Sequence, residues 1–127
     1  MNIEIFKETD YPTLCAWWKD HQWSPVPFNM LPRTGYIVDN ICAGFIYITD
    51  SQLCHMEWII SDLKSDKEKR DKALNVLIDT LCLTAKEYKC KAIFTTAKQN
   101  VLIERLKNHG FNTTDMNMTH LIKRIEQ

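Results

Sequence analysis

Between the apolar runs "LCHMEWII" and "KAIFTTA" lies a stretch whose periodicity demands one long helix with a sheet beneath it. Leu74, Leu77, Ile78, Leu81 and Ala85 recur at three- and four-residue steps and so share one face of a helix of period 3.6. A face that wide must be buried. The runs on either side are short and rich in β-branched and aromatic residues, as strands are. Ser65 and Glu68 are spaced as a capping box and set the predicted start of the helix.

The rest of the chain fits around this unit. "IEIF" reads as a short strand, and "TDYPTLCAWWKDHQW" as a helix opened by Thr9 or Asp10 with Pro12 in its first turn. Pro25, Pro27 and Pro32 make "SPVPFNMLPR" a loop. "GYIV", the turn "DN" and "ICAGFIYIT" predict a hairpin, which "LCHMEWII" extends into an antiparallel meander after "DSQ". Beyond the long helix come the strand "KAIFTTA" and a helix "NVLIERLKNHG" ended by Gly110 as its left-handed cap; "FNTT" and "MTHLIKRI" are expected to close the chain as two strands. The expectation is an α/β (α+β) fold, a single domain over residues 1–127. Its mixed, mostly antiparallel sheet would have about six or seven strands and be flanked by helices.

A chain of 127 residues with 45% hydrophobic and 25% charged content has enough apolar surface for one continuous core. Sixteen Lys and Arg balance sixteen Asp and Glu, so net charge does not indicate nucleic acid or an acidic membrane as partner. "MNIEIFKETDYPTL" lacks the basic and apolar regions of a secretion signal, and no apolar run nears the about 20 residues that span a bilayer, so a cytoplasmic protein is expected. Five cysteines without a C-x-x-C pair suit a reduced compartment, and four isolated histidines argue against a zinc site.

The order of elements, with "AKEYKCKAIFT", then Asn100, then "LKNHGF", resembles the GNAT N-acyltransferases, which use acetyl-CoA. The resemblance runs from about residue 36 to residue 124, with the first strand and helix in their expected places. The chain also resembles short phage-encoded members that carry an "E-W" pair in the strand before the cofactor helix. It implies acetyl-CoA as cofactor and a primary amine, on a small molecule or a protein, as acceptor. It leaves room for a homodimer.

Aligning helices on Ala85 and Lys86 lays the family's pyrophosphate loop, Q/R-x-x-G-x-G/A, on Lys69, Arg70, Asp71, Lys72, Ala73 and Leu74. Lys69 stands for the basic first position. Lys72 and Leu74 replace the small residues that let backbone N–H groups approach a phosphate. Two readings stay open. Either free N–H groups near residues 66 to 69, with Lys67, Lys69, Arg70 and Lys72, hold the pyrophosphate as charge, or the run is a solvated helix face. The resemblance adds Asn100, Ile59 and Ile60 as cofactor contacts.

Strict alternation along "LCHMEWII" puts Leu53, His55, Glu57 and Ile59 on one face and Cys54, Met56, Trp58 and Ile60 on the other. His55 and Glu57 are then neighbours about 7 Å apart. A carboxylate among Met, Trp and Ile should have its pKa raised by burial, which suits a general base, and GNAT enzymes often place a glutamate here. The other reading leaves both side chains solvated at a wet edge. Leu106 occupies the position of the tyrosine that family members use to protonate the leaving thiolate. A thiolate of pKa about 8.5 can depart without it.

For the acceptor, "WWKDHQWSPVPFNMLP" offers Trp17, Trp18, Trp23 and Phe28 with Asp20 and His21 among them. Neighbours on a helix sit about 100° apart, so one of the paired tryptophans is expected to face outward. Trp18, His21, Trp23 and Phe28 are the expected acceptor wall, suited to a flat or cationic amine. Two functions follow: N-acetyl transfer with Glu57 as base and His55 in support, or a catalytically silent GNAT-fold module that binds a protein or nucleic acid. The absent glycines and tyrosine favour the second; Glu57, Asn100 and "HGF" favour the first.

Overall fold

The computed structural model describes residues 1–127. In chain order the elements are β1 (Ile3–Ile5), α1 (Tyr11–Asp20), β2 (Gly35–Val38), β3 (Cys42–Tyr47), β4 (Leu53–Ser61), α2 (Lys67–Glu87), β5 (Ala92–Thr95) and α3 (Asn100–Asn108), with short 3-10 turns at Glu8–Asp10 and Phe28–Met30. Strand order in the sheet follows chain order from β1 to β5. The first three pairings are antiparallel. The last, between β4 and β5, is parallel, because α2 carries the chain back across the sheet.

The hairpin connection runs through Asp39, Asn40 and Ile41, with Asp39 and Asn40 left-handed at φ 51° and 54° and the Ile41 N–H donating to the Val38 carbonyl at 2.8 Å. Side chains then alternate between two layers. Val38, Cys42, Ile46, Cys54 and Met56 pack against Ala73, Leu77, Ile78, Leu81 and Ala85 of α2 and Leu106 of α3. On the other face Ile37, Ala43, Phe45 and Ile60 pack against Leu14, Trp17 and Trp18 of α1. Gly35 lies where a Cβ would run into the ring of Phe45. No helix is long and apolar enough to cross a membrane.

Three expectations are corrected. The sheet has five strands, since neither "FNTT" nor "MTHLIKRI" forms one. A strand exists through its partner, and residues 112–127 meet no ladder; Asn117 bends at φ 59° and the side chains around it stand in solvent. The helix cap is Asp66 rather than Ser65: its carboxylate accepts from the Lys69 N–H at 3.1 Å, while the Ser65 hydroxyl donates to the Asp62 carbonyl at 2.6 Å. Finally, alternation along β4 breaks at a bulge.

The bulged strand and the start of helix α2

Phe45 pairs with Glu57 and Ala43 with Ile60, so two steps on β3 face three on β4. The extra residue is taken up at Trp58, which is left-handed at φ 60°. A bulky side chain there is a backbone outlier, held in place only by its surroundings. The bulge reverses the phase of alternation. Glu57 shares the α1 face with its partner Phe45, but Ile60 follows it there, while Ile59 turns to the α2 layer with Met56. Strict alternation had these two isoleucines the other way round.

Trp58 also crosses over. Its indole N–H donates to Tyr47 Oη at 2.7 Å, and Tyr47 Oη donates to the Met30 carbonyl at 2.7 Å, fastening the turn at Phe28–Met30 over the sheet. Tyr47 lies opposite His55, so His55, Glu57, Tyr47 and Trp58 gather on one side of the sheet. The His55 ring meets Phe94 edge-on at 5.9 Å. Burial pushes the Glu57 carboxyl above its usual range, and nearby His120 pulls it partly back. Burial also raises the Tyr47 phenol; the Trp58 hydrogen bond opposes this and the Glu57 charge adds to it. Sequence reasoning missed Tyr47, though its place two residues after Phe45 marks it for the same face. It had no signal for His120 or for the bulge.

Of the expected acceptor wall, Trp18 is corrected. It is only 1% exposed, because the loop after α1 folds back over it: the Trp23 N–H bonds to the Trp18 carbonyl and Tyr11 packs edge-on against its ring. The helix is thus buried on two sides, and neither member of the tryptophan pair faces outward. His21 donates from Nε2 to the Ser61 carbonyl at 2.9 Å and stacks on Trp23 at 4.8 Å, tying α1 to the end of β4. Trp23 and Phe28 remain exposed, at 44% and 40%.

β5 pairs only with residues 53–56 of β4, so residues 57–61 keep a free edge on that side. This slot leads toward the start of α2, whose charges are mostly matched within the fold. Arg70 donates to the Ser65 carbonyl at 2.9 Å, and Lys67 pairs with Asp71 at 3.1 Å. Arg105 of α3 also reaches Asp71, at 2.8 Å. Hydrogen bonds from Lys67 and Arg105 hold the Asp71 carboxyl below its usual range. Lys69 and Lys72 are exposed and make no ion pair.

Asn100 opens α3 and lies in a polar depression of about 420 Å³ with Asn75, Val101, Glu104, Arg105 and Asn108. None of the β4 residues lines it. Leu106 is buried against α2, and the helix ends in the Schellman pattern: Phe111 N–H to the Leu106 carbonyl at 3.1 Å, Gly110 N–H to Lys107 at 3.0 Å, with Gly110 at φ 93°.

A meander whose last antiparallel strand is bulged, a crossover helix and a parallel partner strand that stops short make this the fold of the GNAT N-acyltransferases. Three solved structures carry the likeness. Rv2747 from Mycobacterium tuberculosis, in complex with CoA, superposes with a TM-score of 0.75 at 12% identity, over 94% of this chain and 76% of its own. An acetyltransferase from Trypanosoma brucei gives 0.69 at 14%, over 95% and 99%. A transcriptional regulator from Bacillus halodurans gives 0.72 at 10%, over 95% and 99%. No family model matches the chain, and no curated protein is similar to it in sequence.

Proposed function

We propose that the protein is a cytoplasmic N-acetyltransferase that moves the acetyl group of acetyl-CoA to a primary amine. The observation that carries this reading is Glu57: a half-buried carboxylate, its pKa raised, beside a bulge whose strand has one free edge. Acetyl-CoA, when bound, supplies the acyl thioester. The free edge of residues 57–61 suits an extended arm through backbone N–H and C=O groups. Ile59 and Ile60 take part through their backbone, since their side chains pack in opposite layers. Lys69 and Lys72 are the charges available to phosphates, with Asn100 further along. Arg70 instead holds the loop before α2.

Glu57 takes the proton from the acceptor ammonium, directly or through a water, so that the nitrogen lone pair can attack the acyl carbon. Attack by the neutral amine would form the N–C bond as the C–S bond breaks, with the second amine proton passing to the departing thiolate. His55 and Tyr47 flank the base, and Trp58, Met30, Phe28 and Trp23 form the wall along which the acceptor enters. Leu106 is apolar and buried, so the thiolate leaves without an acid from that position.

One observation favours a second reading, a silent module that binds a protein or nucleic acid. The Asp66 carboxylate occupies the helix N-terminus at which a pyrophosphate would sit. Thermal melts with acetyl-CoA separate the two. Cofactor at a hundred times its Kd should add about 2.7 kcal/mol of stability. An unmoved Tm at millimolar acetyl-CoA would discard the enzyme reading in favour of the module.

A further inference from the structure

Helix α3 is short and holds on by little apolar surface: of its nine residues only Leu106 is buried. Its other hold on α2 is a polar ladder. Asp71, Asn75 and Asp79, four residues apart, form one stripe of α2, and Arg105 and His109, also four apart, reach it from the end of α3. Arg105 donates from Nη2 to Asp71 Oδ1 at 2.8 Å and from Nη1 to Asn75 Oδ1 at 3.1 Å. His109 Nδ1 lies 2.8 Å from Asp79 Oδ1, and its Nε2 lies 3.1 Å from the same Asn75 Oδ1. A guanidinium can only donate, so Arg105 fixes the Asn75 amide with its oxygen toward both neighbours. Both ring nitrogens of His109 therefore face acceptors. A neutral imidazole carries one N–H and serves only one of them, while its bare nitrogen sets a lone pair against an oxygen.

We propose that His109 is a pH-dependent clasp between the two helices: the imidazolium closes α3 onto α2, and the neutral ring releases it. The polar depression at Asn100 changes with it, since Asn75 and Arg105 belong both to the ladder and to the lining. The His109 side chain is 13% exposed, so water is a poor substitute for the bond that is lost. The charged and titratable groups on the two helices here are Asp71, Asp79 and the Cys82 thiol on α2, and Arg105 and the Glu104–Lys107 pair on α3. The turn at Gly110 and Phe111 adds no charge. Hydrogen bonds from Lys67 and Arg105 hold Asp71 below the usual carboxylate range, and burial holds Cys82 above the usual thiol range, so neither changes charge alongside the ring.

Amide hydrogen exchange of the full chain, read as protection factors from about pH 5 to about pH 9, tests this over the span in which histidines titrate. In the wild type, protection of the α3 amides from Ile103 to His109 should fall about fivefold as pH rises and the ring gives up its proton, which is the worth of one partly exposed ion pair. The buried turns of α2 around Leu77 and Leu81 should not follow. His109→Gln should show the lower α3 protection at every pH. Asp79→Asn should lose most of the pH dependence; its side chain is 74% exposed, so the fold should survive the change. A wild type whose α3 protection is flat across the span overturns the proposal, as does a fall of the same size in His109→Gln or one shared equally by α2.

Discussion

The second half of β4 and the first turn of α2 lie next to each other in the chain and are built on opposite plans. In β4 the irregularities collect: a bulge, a tryptophan in left-handed backbone, a carboxyl raised by burial. In the first turns of α2 most charges are matched, Lys69 and Lys72 excepted. Asp66 caps Lys69, Lys67 meets Asp71, Asp71 meets Arg105, and Arg70 closes on the loop. Strain and perturbed titration collect where a protein does chemistry, whereas matched charges hold a structure whether or not a ligand is present. On the proposed function, β4 is the side suited to proton transfer, and α2 offers only Lys69 and Lys72 to a phosphate.

The sharpest way to break this contrast is Glu57→Gln. The amide keeps the shape, so cofactor binding should survive while turnover falls by about 10² to 10⁴. The loss should shrink at high pH, where the amine is already free of its proton. Wild-type turnover near pH 7 would hand the role to His55.

A smaller effect is expected on the α2 side. Lys69→Glu with Lys72→Glu should weaken acetyl-CoA binding at least about tenfold, since one hydrogen bond to a charged group contributes about 1.5–3 kcal/mol. Asp66→Asn keeps the cap and removes its charge, so it should tighten binding by at most about fivefold, or 1 kcal/mol. If calorimetry finds neither change, the phosphates do not lie here.

The smallest effects are on stability and have opposite signs. Asp71 has a lowered pKa, so its contribution is present above the unfolded value of about 3.9 and is lost as pH falls through the folded value. Glu57 has a raised pKa, so its contribution is present below the unfolded value of about 4.3 and is lost as pH rises through the folded one. At pH 7 Asp71→Asn should melt below the wild type and Glu57→Gln above it, each by under about 1 kcal/mol, and both gaps should narrow at pH 3. Gaps of the same sign would remove the contrast.

Much of this was legible in the residues. The α2 face, the Asp39–Asn40 turn and the Gly110 cap obey local rules, and local rules are what a sequence displays. Alternation put His55 and Glu57 on one face, while the role of base for Glu57 came from its apolar neighbours and the family resemblance; alternation holds as far as Glu57 and fails one step later, because a bulge leaves no mark in the pattern. Trp18 was misplaced because a helix wheel knows one buried side, and the folded-back loop made a second. Residues 112–127 have strand-forming composition, but pairing is a property of the neighbour.

That strand order in the sheet repeats order in the chain has a consequence for synthesis. Each strand, as it leaves the ribosome, finds the edge it needs already made, and no segment has to be threaded between two others. The β2–β3–β4 meander can form while α2 is still being translated. The β5 edge is completed last of the strands, when α3 and the run after Phe111 are still to come.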